Sequence, residues 1–441
     1  MLRLLIILIT TLFFYRRTIH YGYIIDDIEV ATHEKTGIWW KDFWYQIRGH
    51  GYFNRVTEHT ITLLIHTINC MLIYKAFGSN DVSFLAAMLF AVNPVNNQAS
   101  VWLSGKVYAL AATFILLGWW IKPLFPLFYF TSFYFSLNGV LTPLLFLFTP
   151  QIYFAVLPII LGFFFKNKVI GEPKRRYKQG SIYMRELSPR KLIISIKTLG
   201  YYFRLCLFPF KLGMCHKYLH EYGLTKQETE KWYSFDKYFW LGLGVILTAG
   251  IGLLNRWEVF GLIWFIVLTA QWCNFLVLNH PVCERYVYLS NIGLMIMLAK
   301  ALMTIPYGMY LAVAIWTFYV TKLWFFLPSY KTNYAYFRSN KQEFEDVAIA
   351  YNQEGLEAIR FGQPSTALDI FMQGLFYRPY DFRLNYNSAN LMIGMGKFEQ
   401  AKFFLHRAHQ SLDKGLDNYD VWMGGINQMK DHIRKQGINV N

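Results

Sequence analysis

Between residue 1 and about residue 327 the chain returns repeatedly to apolar runs, and no other feature limits its possible folds so strongly. The runs are 1–16, 57–77, 82–93, 107–121, 124–138, 139–150, 151–166, 237–254, 258–276, 286–303 and 307–327. Several fall short of the roughly 20 residues that a perpendicular membrane span needs. Pro94, Pro126, Pro143 and Pro150 break them into what reads as bent helices or helical hairpins enclosed by other protein. A lipid-embedded backbone must satisfy its own polar groups. The expectation is therefore an all-α, polytopic bundle of about eleven transmembrane helices. Composition agrees: 55% of the 441 residues are hydrophobic and 16% are charged, where soluble proteins carry about 25% charged residues. Met1 to Tyr15 lacks a small-residue cleavage site and is followed by Arg16 and Arg17, so it reads as an uncleaved first helix.

Two long polar connections interrupt this body. Residues 17–56 contain Gly37 to Tyr45, where apolar and charged residues alternate at helical spacing among several tryptophans. That is the pattern of a helix lying in the membrane interface. Residues 166–236 open with Lys166, Lys168, Lys174, Arg175, Arg176 and Lys178. They continue into Leu192 to Phe210, where Lys197 and Arg204 spoil a clean span and suggest a second interfacial helix. The positive-inside rule would hold the basic 166–191 loop in the cytoplasm. Counting eleven spans from a cytoplasmic N-terminus instead puts it outside, with 17–56 and the tail.

After Pro328 the chain becomes polar. Gly362 and Gly396 stand 34 residues apart, as do Ala367 and Ala401. That period and its small residues fit the tetratricopeptide pattern of paired antiparallel helices. Two domains follow: residues 1–330 in the membrane and residues 341–441 as a short α-solenoid. Only about two repeats are visible and about three are normally needed to stand alone, so the tail is expected to lean on the membrane body or a partner.

Against the apolar background the pair Asp26-Asp27 stands out. Two carboxylates at a helix mouth can supply a general base, a metal site or a solvated turn. The formal net charge is +16; with no nucleic-acid module in view, that excess points to anionic lipid or an anionic substrate. Five cysteines lack CxxC spacing and read as isolated thiols, with a Cys206–Cys215 disulfide as the alternative in an oxidising compartment.

Several segments taken in order resemble the transmembrane and tetratricopeptide-repeat O-mannosyltransferases, glycosyltransferases of the GT-C fold class. Tyr23 to Asp27 resembles their aromatic-x-x-Asp-Asp, and His59, His66 and Asn69 match part of a His/Asn helix. Asn93 to Lys106 follows a His-Pro-x-His-x-Glu-x-x-x-Trp-x-x-Gly-Arg segment, and Glu284 to Gly293 is similar to Glu-Arg-x-x-Tyr-Leu-Pro-Ser-x-Gly. Most departures remove charge: Asn93, Asn96, Gln98, Tyr108 and Asn138 stand where the family has charged or imidazole groups, while Lys106 replaces an arginine.

The resemblance implies a GT-C-like bundle that moves a sugar, mannose or another hexose, from a polyprenyl-phosphate donor to a hydroxyl of a protein or glycan. The transfer would be inverting, on the non-cytoplasmic face of a bacterial inner membrane or the endoplasmic reticulum. Asp26 and Asp27 would be catalytic, one as general base. Arg285, Lys106, Glu284 and Tyr288 would hold the donor phosphate, with Glu284 fixing Arg285. Asn138, Gln98, His59, Arg175 and Arg176 would meet substrate. No cofactor is implied beyond the lipid-linked donor; a divalent metal on the acidic pair is the less favoured alternative. The repeats would recruit the acceptor. Two other classes stay open: an inactive membrane scaffold that recruits partners through the repeats, and a lipid-linked-saccharide transporter, for which midplane charges are scarce.

Overall fold

A computed structural model describes residues 1–25, 27, 54–149, 153, 156, 158, 189–213, 216, 218, 233–254, 259–274, 282–341, 347–412 and 419–440. The chain divides into two compact units, Met1–Lys331 and Thr332–Asn441. Regular structure among the described residues is helical, with no β-strand.

The first unit contains α1 (Leu2–Tyr15), α2 (Arg55–Ala76), α3 (Asp81–Val92), α4 (Lys106–Trp120), α5 (Phe125–Phe135), α6 (Arg190–Leu207), α7 (Lys237–Leu254), α8 (Phe260–Ala270), α9 (Tyr288–Thr304) and α10 (Gly308–Phe326). Local sequence sets the starts. The Asn54 side chain accepts the Thr57 N–H to cap α2, and Asn80 with Ser83 forms a reciprocal capping box on α3. Between them Gly78 and Ser79 take positive φ and reverse the chain. Around α2 pack α1, α3 and α4, while α9 lies against α3 and α8, and α6 pairs with α7. Trp264 on α8 is fully buried and donates its indole N–H to the Leu289 carbonyl at 2.9 Å.

Among the described residues five helical segments are long and apolar enough to cross a membrane: Arg55–Ala76, Leu103–Trp120, Lys237–Leu254, Glu284–Thr304 and Gly308–Lys331. The eleven spans expected from hydropathy are not all of that kind. The runs 82–93 and 258–276 form helices of 12 and 11 residues, rising only about 16–18 Å in a hydrocarbon core of about 30 Å. Run 139–150 yields a 3-10 segment, Thr142–Phe148, with Pro143 in its first turn. Run 151–166 and the stretch Gly37 to Tyr45 lie outside the described residues, apart from 153, 156 and 158. On α7 and α10 most of the apolar surface faces outward, with Trp240, Leu254, Leu311 and Phe325 all exposed. Apolar area of that extent suits contact with lipid.

Helix α6 occupies the stretch expected to lie at the interface. Its Lys197 is buried to 2% and pairs with Asp236 at 3.0 Å. Burial would raise the Asp236 pKa, but bonds from Lys197, the Phe239 N–H and Tyr218 hold it below the ordinary value. A buried lysine beside such a partner is what made this stretch read as a poor span. Cys206 on the same helix is a buried free thiol, and Cys215 lies outside the described residues.

The second unit adds α11 (Asn333–Asn340), α12 (Val347–Arg360), α13 (Pro364–Tyr377), α14 (Phe382–Gly394), α15 (Phe398–Ser411) and α16 (Tyr419–Lys435). Its boundary falls at Thr332, so α11 precedes the expected start at 341. The pairs α12/α13 and α14/α15 turn at Gly362 and Gly396, with φ of 71° and 72°. At both turns the glycine N–H bonds three residues back and the next N–H five residues back. That is a Schellman closure, repeated at the 34-residue period. The shared core runs from Tyr351 through Phe371 and Leu405 to Ile433.

Candidate functional site

The acidic motif lies where the chain leaves α1. Asp27 is fully buried. Its Oδ1 accepts both the Ser104 backbone N–H at 2.9 Å and the Ser104 hydroxyl at 2.8 Å, and Oδ2 accepts the Ile24 N–H at 3.2 Å. Between them Ile25 sits at φ 51°, a left-handed conformation that is an outlier for a β-branched residue. Such strain persists only where surrounding structure imposes it, and it clusters at functional sites. The Gly22 N–H bonds the Lys331 carbonyl at 2.9 Å, and the Arg17 guanidinium stacks over Trp324 and bonds its carbonyl, fixing the approach to Asp27. Asp26 lies outside the described residues.

Ser104 belongs to Trp102-Leu103-Ser104-Gly105-Lys106, and this pentapeptide organises the rest of the site. A Cβ on Gly105 would lie 1.7 Å from the Gln98 carbonyl oxygen, so only glycine lets the two backbone strands approach. Lys106 is buried and pairs with buried Glu58 at 2.7 Å, with Asp27 close enough to act on it electrostatically. Next to Glu58, His59 lies against the Tyr21–Gly22 backbone. Trp102 lies under the Arg285 guanidinium, 5.4 Å from ring centre to Cζ. Ser104 and Trp102 are two residues apart, so their Cα atoms are within about 7 Å. Asp27 and Arg285 are thus brought to neighbouring points of one short segment.

Around Arg285 the walls are aromatic. Its guanidinium also lies over Tyr286 at 5.1 Å. Tyr286 stacks on Trp272 at 4.2 Å, and Tyr108 leans on both rings. The Trp272 indole N–H donates to the Asn138 Oδ1 at 2.8 Å, while the Asn138 Nδ2 is buried without a hydrogen-bond partner. The two ring faces hold the plane of the Arg285 guanidinium in place.

Other expected site residues do structural work. Glu284 does not fix the Arg285 guanidinium: its Oε1 accepts the Gly213 N–H at 2.7 Å and faces the His216 Nε2 at 3.2 Å. Gln98 accepts the Arg285 backbone N–H and donates to the Gly213 carbonyl, bracing the same corner. Tyr288 is fully buried, its hydroxyl bonded to the His66 Nδ1 at 2.7 Å and the Asn69 Nδ2 at 3.2 Å. Asn93 and Asn96, which depart from the resembled motif, donate to the Cys206 and Phe90 carbonyls. Arg175 and Arg176 lie outside the described residues.

Two groups escaped the sequence reading. Glu58 neutralises Lys106 from 48 residues away. His216 is fully buried between Glu284 and the Tyr201 hydroxyl, the latter at 3.0 Å. Burial, aided by Arg204 and Lys211, holds its pKa down at about 3, so it is neutral at physiological pH. Among the described residues no group of three or more His, Cys, Asp or Glu is arranged to hold a metal ion. No family model, no curated protein and no solved structure matches the chain.

Proposed function

We propose that the chain is a multi-pass membrane glycosyltransferase of the GT-C kind, with a tetratricopeptide-like tail. It would transfer a hexose, mannose on the resemblance, from a polyprenyl phosphate to a protein or glycan hydroxyl on the non-cytoplasmic face. The observation that carries this reading is that Asp27 bonds Ser104 while Arg285 lies over Trp102, two residues away in the same segment. An inverting displacement needs a carboxylate to take the acceptor proton and a cation to receive the departing phosphate. Asp27 answers the first need. Its bonds from Ser104 and Ile24 orient it. Arg285 answers the second, from an aromatic surround that excludes water and strengthens the contact. Charge distribution agrees: residues 332–441 hold twelve Lys and Arg against twelve Asp and Glu, so the whole excess of +16 lies in the membrane unit. An anionic lipid donor fits that excess.

The test is transfer by the purified protein in neutral-lipid nanodiscs, offered labelled polyprenyl-phosphate mannose, polyprenyl-phosphate glucose or GDP-mannose with a pool of acceptor proteins. Transfer from a lipid-linked sugar and none from the nucleotide sugar is the expected result. Absence of transfer from every donor would remove the reading. The scaffold reading draws on a specific observation as well: Lys106, Glu284, Gln98 and Tyr288 each bond other buried groups of the protein.

A further inference from the structure

We propose that the second unit carries a binding site for an acidic, aromatic-containing peptide segment of a partner protein, on the outer face of α15. Glu399, Lys402, Phe403, His406 and Arg407 recur at helical spacing and so share one side of that helix. They line a groove of about 510 Å³, closed opposite by Tyr380 and by Asn439 and Val440. Val440 is buried, and the Arg434 guanidinium bonds its carbonyl at 2.9 Å, so this wall is fixed.

The charges in the groove are unbalanced. Lys402 and Arg407 make no ion pair among the described residues, and one carboxylate, Glu399, stands against them. The Arg407 guanidinium lies over the Phe403 ring at 4.3 Å and the Tyr380 ring at 5.3 Å. Both rings are themselves half exposed or more. Ring faces hold the guanidinium plane still while its edges stay available for a carboxylate fork. The exposed parts of Phe403 and Tyr380 offer apolar surface beside that fork, which suits an aromatic residue next to an acidic one. Elsewhere in the unit Lys341 pairs with Glu354, Arg360 with Glu357, Arg383 with Asp381 and Arg434 with Asp431. In the groove the cations of Lys402 and Arg407 stand beside the exposed aromatic area of Phe403 and Tyr380. The proposal is independent of the chemistry of the membrane unit.

The experiment uses the full chain in neutral-lipid nanodiscs and follows anisotropy of a fluorescent peptide of alternating Asp and Glu around a central Tyr. Saturable binding is expected, weakening with salt. R407E and K402E should each weaken it about tenfold, and R407K several-fold, because lysine keeps the charge and loses the fork. K435E changes net charge equally outside the groove and should shift affinity less than about twofold. These residues face outward, and unchanged thermal unfolding of the variants verifies that the repeats are intact. Three outcomes would overturn the proposal: no binding, equal weakening by K435E and R407E, or Lys402- and Arg407-dependent binding to phosphatidylserine vesicles with none to the peptide.

Discussion

Ile25 carries the least comfortable backbone in the site, at φ 51° with a β-branched side chain. Replacing it with glycine should stabilise the membrane unit by about 1 kcal/mol by removing that strain, while lowering sugar transfer because Asp27 loses its fixed approach. Thermal unfolding and transfer rates measured on one preparation would separate the two effects. The Glu58–Lys106 pair, at 2.7 Å and nearly without solvent, makes a second case. Removing one partner strands a buried charge and should cost about 3–5 kcal/mol, whereas the double change E58L/K106M should recover most of it. Equal losses in the single and double variants would contradict the pairing. His216 gives a pH signature. Its pKa is near 3 in the folded protein and about 6.5 when unfolded, so only the unfolded chain takes a proton between those values. Its contribution to stability therefore falls as pH drops below about 6.5, by about 1.4 kcal/mol per unit, and levels off near 3. Unfolding at pH 7.5 and 5.5 should show H216Q losing about 1.4 kcal/mol less than wild type across that interval. Asp27, Lys106 and Arg285 were legible in the sequence because charge is rare in apolar surroundings. Glu58 and His216 were not, because their partners lie 48 and 68 residues away.

At the scale of elements, the repeat unit was the most legible part, because one close-packed helix pair repeats at 34 residues and glycine marks each turn. A Cβ on Gly355 would meet the Phe371 ring at 2.2 Å, so Gly355→Ala overpacks the α12/α13 contact and should cost about 1–3 kcal/mol. Gly362→Ala meets nothing within 4 Å and acts through its positive φ alone. It should cost about 1 kcal/mol, and Gly362→Asn less, since asparagine tolerates the left-handed region. Denaturant unfolding of these variants checks the order. The membrane helices were less legible, since hydropathy reports apolar character and not length. Runs 82–93 and 258–276 are as apolar as true spans but stop after 12 and 11 helical residues. The glycine contacts that let α6 cross α7 at Gly200 and Gly242, and α8 cross α9 at Gly261 and Gly293, carry no periodic signal at all.

The whole molecule joins a strongly basic membrane unit to a tail of balanced charge. The resemblance supplied the order of the motifs, and the fold adds that Asp27 and Arg285 share the segment Trp102–Lys106, which neither motif reveals alone. Several residues that the resemblance would have turned toward substrate instead brace the Gly213 corner or the α2–α9 interface. The central claim is the division of labour between carboxylate and guanidinium. The measurement that tests it most directly is steady-state transfer from a labelled polyprenyl-phosphate sugar by wild type, D27N and R285A in the same nanodiscs. D27N should lower kcat by about 100-fold with the donor KM little changed. R285A should weaken both, raising the donor KM about tenfold or more, since it removes a phosphate contact present before and during transfer. Wild-type kcat and KM in both variants, with both folded, would contradict the account.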